Sequence, residues 1–194
     1  MDRELLQIEE YAKDNYIPIM LKDGIEYLCD YIRKNNIKNI LEIGSAIGYS
    51  AIKMALVSDD INVTTIEKDE ERYNMAVSNI HKFNLDNRID IILKDAKEVE
   101  LTSKFDLIFI DASKGNNIYF FNKFASNLAD NGVIITDNLS FHGRVEDANL
   151  ITSKNQLGIV NKIKDFISFL DNNKDFTTTY ILVGDKIAIS KRIN

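Results

Sequence analysis

Short apolar runs alternate with amphipathic segments along most of the chain. The apolar runs are rich in Ile, Val and Phe, as buried strands usually are, and they lie at residues 38–44, 61–67, 89–95, 105–111 and 132–138. Apolar positions at helical spacing predict helices after most of these runs, at 49–57, 69–83, 117–129 and 155–172. The alternation predicts a doubly wound, Rossmann-like α/β fold whose mostly parallel sheet carries helices on both faces. We expect the first four strands to be apolar on both faces, as a buried parallel sheet requires.

The N-terminal part of the chain adds two helices to this core. Amphipathic patterns predict them at residues 2–15 and 22–35. Pro18 separates them, because a proline disfavours helix in the residue before it.

The C-terminal part of the chain is predicted to form a β-hairpin. Residues 177–184 and 186–192 are strand-like, and they meet around a Gly184-Asp185 turn. This hairpin adds an antiparallel strand at one edge and brings the expected sheet to seven strands.

The composition fits a single domain, with N-terminal helices over 1–36 and the Rossmann-like core over 37–194. The 194 residues are 45% hydrophobic, which is enough for a sizeable core. The single cysteine, Cys29, excludes an internal disulfide and fits a reducing cytoplasm. We see no signal peptide and no apolar run long enough to span a bilayer, so a cytoplasmic protein without a membrane partner is expected. The net charge of −6 argues against a general nucleic-acid binder but allows a local basic patch.

Polar residues gather where the predicted strands end. In doubly wound sheets, ligands bind outside the carboxyl ends of the strands, at the point where the strand order reverses. The candidate residues at these ends are Glu42 to Ser45, Glu67, Asp95, Asp111, Asp137 and Asn138.

The stretch ILEIGSAIGYS predicts a strand, a tight turn and a helix. Gly44 permits a sharp turn, and Gly48 permits close approach of backbone or ligand. The spacing differs from the dinucleotide G-x-G-x-x-G pattern, and Glu42 places a carboxylate here that repels phosphate and attracts an amino group. The glycines could instead serve only helix–strand packing, but the acidic residues at successive strand ends favour a cofactor.

The next two strand ends extend this cofactor prediction. Glu67 ends the second strand, where an acidic residue can accept both hydroxyls of a ribose. Asp95 and Ala96 end the third strand, where an adenine edge would lie. An amino acid, a ribose and an adenine together describe S-adenosylmethionine.

A second group of polar residues follows the fourth and fifth strands. Asp111, Asp137 and Asn138 offer oxygen ligands of the kind that Mg²⁺ prefers. Lys114 lies three residues after Asp111, so it can lean over the same site and act as a base if its pKa is lowered there. His142 lies in the loop after Asn138, and its role stays open.

These motifs resemble those of a known family. LEIGSAIGYSA, TIEKDEER, FIDASKG and GVIITDN are similar, in order, to the motifs of the Mg²⁺-dependent class I O-methyltransferases, the family of catechol and caffeoyl-CoA O-methyltransferases. Within it, YAKDNYIPIM, DASKGNNIYFF, NKIKDFISFL and LVGDKIAISK make the chain most similar to the bacterial tRNA 5-hydroxyuridine methyltransferases.

The resemblance implies roles for individual residues. It implies cofactor contacts from Met20, Ser50, Glu67, Asp95, Ala96 and Asp111. It implies that Asp111, Asp137 and Asn138 bind the metal and that Lys114 is the candidate base.

The resemblance also suggests an acceptor. It implies methylation of 5-hydroxyuridine at the wobble position of tRNA to 5-methoxyuridine, with phosphate contacts from Arg144, Lys154 and neighbouring lysines. The alternative is a small catechol-like acceptor, which the net charge of −6 and the few basic residues before the last helix favour. A third alternative is a non-catalytic cofactor-binding module, which the presence of Asp111, Lys114 and Asp137 disfavours. Members of the family are commonly dimers, so a homodimer is suggested as well.

Overall fold

The computed structural model describes residues 2–193, and it contains one seven-stranded sheet. The strands are β1 (Asn39–Ile43), β2 (Asn62–Glu67), β3 (Ile89–Leu93), β4 (Phe105–Ile110), β5 (Leu128–Thr136), β6 (Phe176–Ile181) and β7 (Ile187–Arg192). Their order across the sheet is β3-β2-β1-β4-β5-β7-β6, and β7 pairs antiparallel with both of its neighbours. The predicted fold class is therefore confirmed. Met1 and Asn194, the two ends of the predicted domain, lie outside the described residues.

Six α-helices of the described chain cover the sheet. They are α1 (Asp2–Asp14), α2 (Lys22–Lys34), α3 (Tyr49–Ala55), α4 (Glu70–Lys82), α5 (Asn117–Ala125) and α6 (Lys154–Asp171). Successive strand residues point to opposite faces, so Ile40 packs in the core under α1 to α4, whereas Leu41 packs in the core under α5 and α6. None of the helices in residues 2–193 is long and apolar enough to cross a membrane.

Helix α5 ends earlier than the sequence pattern predicts. It stops at Ala125, not at 129, because Leu128 already pairs with Phe105 in the sheet. The side-chain amide of Asn127 donates to the carbonyl oxygens of Leu101 and Ser103, which fixes the chain between helix and strand. Apolar residues at the end of the helical pattern thus belong to β5.

The outermost strands also differ from expectation. Strand β3 forms an edge of the sheet and leaves Asp90 and Leu93 exposed, so it is not buried on both faces. At the other edge, the hairpin turn is longer than predicted: residues 182–186 connect β6 and β7, and Asp185 within them is buried.

The strand order reverses between β1 and β4, because the chain continues from β1 to β2 on one side and returns to β4 on the other. A crevice at the carboxyl ends of these two strands is therefore expected. Residues 15–21, which link α1 to α2, close one side of it: Pro18, Ile19, Met20 and Leu21 line the cavity found there.

Candidate functional site

A cavity of about 800 Å³ opens at the carboxyl ends of the parallel strands. This volume lies within the range of ~300–1,000 Å³ that is usual for ligand sites. The predicted site residues that line it are Met20, Gly44, Ser50, Glu67, Asp95, Ala96, Asp111, Lys114 and Asn138. Two others, Glu42 and Asp137, are buried and do not line the wall.

Gly44 makes the close approach of β1 and β4 possible. Its φ is +102°, and a Cβ there would lie 2.6 Å from the carbonyl oxygen of Asp111. The backbone amides of Gly44 and Ser45 both donate to the Ile66 carbonyl, so the turn is also tied to β2. A side chain at position 44 would therefore clash with the backbone of Asp111 and force β1 and β4 apart at this point.

Gly48 serves a different purpose. Its φ is +83°, and a Cβ would lie 3.2 Å from the Cβ of Ala76 on α4. Gly48 thus serves close packing, because it lets α3 begin in contact with α4. Gly44, by contrast, lies in the cavity wall.

The carboxylate of Glu67 is fixed at the wall by the backbone. Its Oε2 accepts from the amide of Ala46 at 2.8 Å, and its Oε1 accepts from the amides of Lys68 and Asp69 at 2.9 Å each. This holds the carboxylate at the end of β2, facing the cavity, in the place where a ribose was predicted.

Glu42 is fully buried behind the turn. It accepts hydrogen bonds from the hydroxyls of Ser50 and Thr65. Burial, opposed by these two hydrogen bonds, raises the pKa of Glu42 to about 7. Ser50 lines the cavity and Glu42 does not, so Glu42 lies behind the wall and is linked to the cavity through the Ser50 hydroxyl.

The opposite end of the cavity holds Asp111, Lys114 and Asp137. The ammonium of Lys114 donates to Asp111 Oδ1 at 3.2 Å and to the Asp137 carbonyl at 3.3 Å. Its side chain is only 15% exposed. Lys114 therefore leans over the carboxyl ends of β4 and β5, as the spacing to Asp111 predicts.

Asp137 is almost completely buried, at 1% exposure. Its Oδ1 has no hydrogen-bond partner among the residues that the structure describes. Burial, and next the charge of Asp111, raise the pKa of Asp137 to about 7. Asn138 follows with a φ of +61°, a left-handed conformation that asparagine tolerates better than most residues.

These residues fit a divalent cation. The buried, unpartnered Asp137 oxygen and the repulsion between Asp137 and Asp111 leave negative charge that Lys114 alone balances only in part. Among residues 2–193, no group of three His, Cys, Asp or Glu side chains is arranged to hold a metal. The predicted ligand set of Asp111, Asp137 and Asn138 is not such a group, because its third member is an asparagine amide.

The sequence analysis missed Asp185 as a site residue. Asp185 lines the cavity, is 4% exposed, and accepts from the His142 amide at 2.6 Å through Oδ1. The hairpin prediction does not say which of its two strands borders the parallel strands. The antiparallel pairing of β7 with β5 decides this, and it brings the residues before β7 to the place where the parallel strands end.

Similarity to known proteins covers nearly the whole chain. The sequence profile of the O-methyltransferase family matches residues 3–193. A Staphylococcus aureus protein of known structure, provisionally described as a caffeoyl-CoA O-methyltransferase, is 37% identical with a TM-score of 0.92, and the match covers 97% of this chain and 92% of that one. An O-methyltransferase from Bacillus cereus, solved with S-adenosylhomocysteine, is 26% identical with a TM-score of 0.82, over 100% of this chain and 92% of the other. A caffeoyl-CoA O-methyltransferase of Medicago sativa is 28% identical over 98% of this chain and 81% of its own length.

The match over residues 3–193 includes both the turn at Gly44 and the carboxyl ends of β4 and β5. The predicted wider family is confirmed by this match, and the cavity lies where the fold places its ligands. The chain therefore belongs to the O-methyltransferase family.

Proposed function

We propose that this O-methyltransferase moves a methyl group from S-adenosylmethionine to one of two adjacent oxygens on its acceptor, with the help of Mg²⁺ or another divalent cation. The observation that carries the proposal is the composition of the cavity. One end presents Ser50 and Glu67, and the other presents the Asp111–Lys114 pair next to the buried Asp137, with the turn at Gly44 between them.

The first end suits the cofactor. Glu67 would accept hydrogen bonds from the ribose hydroxyls, and Asp95 and Ala96 would border the adenine. Ser50, oriented by Glu42, and Met20, from the segment between α1 and α2, would contact the methionine part. The similarity to the Bacillus cereus O-methyltransferase that was solved with S-adenosylhomocysteine supports this assignment.

The second end suits the cation and the acceptor. Asp111, Asp137 and Asn138 would hold the cation, because two carboxylates and an amide are ligands that hard cations prefer. A bound divalent cation lowers the pKa of a coordinated hydroxyl and orients a pair of oxygens.

Lys114 is placed to manage the acceptor proton. Its amine lies between Asp111 and the Asp137 carbonyl, and in its uncharged form it would accept the proton of the acceptor hydroxyl. The acceptor oxygen then attacks the methyl carbon, the carbon–sulfur bond breaks, and neutral S-adenosylhomocysteine remains. The positive charge of the sulfonium disappears in this step, so the site needs alignment of the two reactants rather than stabilisation of a new anion.

The first acceptor that we propose is 5-hydroxyuridine at the tRNA wobble position, which offers a hydroxyl beside a carbonyl. The motif resemblance supports it. Two basic residues also lie at the acceptor end: Lys162 lines the cavity, and the Arg144 guanidinium stacks 5.1 Å from the centre of the Phe141 ring, which lines the cavity too. Such cations could contact the phosphates of a splayed anticodon.

The second acceptor is a small catechol-like molecule with two neighbouring hydroxyls. The caffeoyl-CoA O-methyltransferase of Medicago sativa supports it through its similarity, and so does the net charge of −6, which weakens attraction to RNA. Both acceptors present the same pair of oxygens and would use the same residues.

The test is methyl transfer from labelled S-adenosylmethionine to tRNA that carries 5-hydroxyuridine and, separately, to a simple catechol. Each reaction is run with Mg²⁺ and with a chelator. The proposal expects label on one acceptor, only with Mg²⁺. Label that persists in the chelator overturns the cation part, and binding of S-adenosylmethionine without label on either acceptor overturns both substrate proposals.

A further inference from the structure

The loop between β6 and β7 brings a third carboxylate to the acceptor end of the cavity. Asp185 lines the cavity together with Asp111 and Asn138. Its Oδ2 is buried and finds no hydrogen-bond partner within residues 2–193. Asp185 is therefore a buried acidic residue, beside the predicted cation ligands, with an unused acceptor atom.

Asp185 and its neighbour hold the segment that follows Asn138. The amide of Leu139 donates to the Lys186 carbonyl at 3.0 Å, and the amide of Ser140 donates to the Asp185 carbonyl at 2.9 Å. The amide of His142 donates to the Asp185 side chain at 2.6 Å. Since Asn138 stands at the start of this segment in a left-handed conformation, its position depends on these bonds.

The loop that carries Asp185 is itself anchored to α2. The amide of Gly184 donates to Asp23 Oδ2 at 3.0 Å, and the amide of Gly24 donates to the other oxygen of Asp23 at the same distance. A Cβ on Gly184 would lie 3.1 Å from the Cα of Gly24, so the two backbones are in contact. These contacts fix the loop that carries Asp185 against the N-terminal turn of α2.

No basic side chain in the described part of the chain forms an ion pair with Asp185. Lys114 pairs with Asp111, and Lys186, next to Asp185 in sequence, pairs with Glu146 at 3.1 Å. Burial of an unpaired charge is costly, so a cation beside this carboxylate would stabilise it.

We propose that Asp185 is a positioning residue of the cation site, which strengthens cation binding by its charge and fixes Asn138 through its hydrogen bonds. It acts from outside the predicted ligand set of Asp111, Asp137 and Asn138. The inference rests on the proposed cation dependence of the methyl transfer.

The test is Asp185→Asn, which keeps an acceptor oxygen for the His142 amide and removes only the charge. Binding of Mn²⁺ is measured by electron paramagnetic resonance in the presence of S-adenosylhomocysteine. We expect the variant to bind Mn²⁺ about tenfold more weakly, the lower end of the ~10–100-fold loss usual for residues that support metal ligands. The matched control is Asp175→Asn, the same change at an exposed carboxylate before β6 that does not line the cavity, and it should bind Mn²⁺ as the unchanged protein does.

Thermal unfolding in chelator separates this role from a merely structural one. Removal of an unpaired buried charge should raise the unfolding temperature of the cation-free protein, by about 2–4 °C. A lower unfolding temperature together with unchanged Mn²⁺ affinity would overturn the inference and leave Asp185 as a loop support only. If the unchanged protein binds no Mn²⁺, the cation part of the proposed function fails as well, so the two failures are distinguishable.

Discussion

At the β1–β2 end of the cavity the chain supplies partners for its own carboxylates, whereas at the β4–β5 end it does not. Glu67 accepts from three backbone amides, and Glu42 accepts from two hydroxyls. By contrast, Asp137 and Asp185 each keep one buried oxygen without a partner among the described residues. The carboxylates Glu42 and Glu67 of the first end are hydrogen-bonded by the chain itself, whereas two carboxylates of the second end keep an unpartnered oxygen. The difference supports the proposed cofactor pocket and, beside it, the proposed cation-dependent acceptor site.

The largest expected effect comes from removal of Asp111, which lines the second end of the cavity. Asp111→Ala should lower metal-dependent turnover by at least ~10³-fold, because the proposed cation ligand and the partner of Lys114 are lost together. The measurement is kcat/KM at saturating Mg²⁺. The control is Asp165→Ala, an exposed carboxylate on α6. Unchanged turnover in Asp111→Ala would contradict the proposal that a cation binds at this end of the cavity.

Loss of the Lys114 amine should be the next largest effect. Lys114→Met should lower kcat on the order of 10²–10⁴-fold at pH 7, because the acceptor proton loses its base. The loss should shrink as the pH is raised, since the acceptor hydroxyl then ionises without help. Affinity for S-adenosylhomocysteine, measured by calorimetry, should stay unchanged, as in the exposed control Lys164→Met. An equal loss of kcat at every pH would mean that Lys114 only supports the structure of the site and does not act as a base.

A single added methyl group at Gly44, in the turn between the two ends, tests how tightly β1 and β4 approach each other. Gly44→Ala places a Cβ 2.6 Å from the Asp111 carbonyl at a φ of +102°, so the free energy of unfolding should fall by about 2–4 kcal/mol. The contrast is Gly158→Ala in α6, where a Cβ meets nothing within 4 Å and should stabilise the protein by about 0.5–1 kcal/mol. Urea unfolding measures both. Equal stability of the two variants would show that the β1–β4 approach is not tight.

The smallest expected effect concerns Glu42 and pH. Burial raises the pKa of Glu42 from 4.5 to about 7, with smaller contributions from Asp111 and Glu67, so the folded protein binds more protons than the unfolded chain between these values. The free energy of unfolding should therefore fall as the pH rises from about 4.5 to about 7, by roughly 1–3 kcal/mol more than in Glu42→Gln. Glu71→Gln, exposed on α4, is the matched control for loss of one carboxylate. Parallel pH curves for the unchanged protein and Glu42→Gln would mean that Glu42 does not titrate in this range.

Much of the site could be predicted because its residues end parallel strands. Glu67, Asp95 and Asp111 could be placed at one edge of the sheet from the apolar pattern alone, since parallel strands end at a common edge. The pattern does not distinguish residues that line the cavity from strand residues buried behind its wall. For this reason Glu42 is expected in the cavity wall but lies behind it.

Asp185 could not be found by the same reasoning, because it precedes its strand. Its place in the site follows from the direction of β7, which only the strand pairing reveals. The early end of α5 has a similar cause: Leu128 fits either a helical or a strand pattern, and pairing with Phe105 decides between them. In both cases the missing information is a contact between residues far apart in sequence.

The most direct test of the difference between the two ends is a pair of calorimetric titrations on the same protein. S-adenosylhomocysteine is titrated in chelator and in Mg²⁺. The small acceptor, 5-hydroxyuridine nucleoside or a catechol according to which acceptor takes the label, is then titrated into each complex. We expect S-adenosylhomocysteine to bind with or without Mg²⁺ and the acceptor to bind only when Mg²⁺ is present. Acceptor binding in chelator, or a cofactor pocket that requires Mg²⁺, would contradict the account of a cofactor end with partnered carboxylates beside an acceptor end with unpartnered ones.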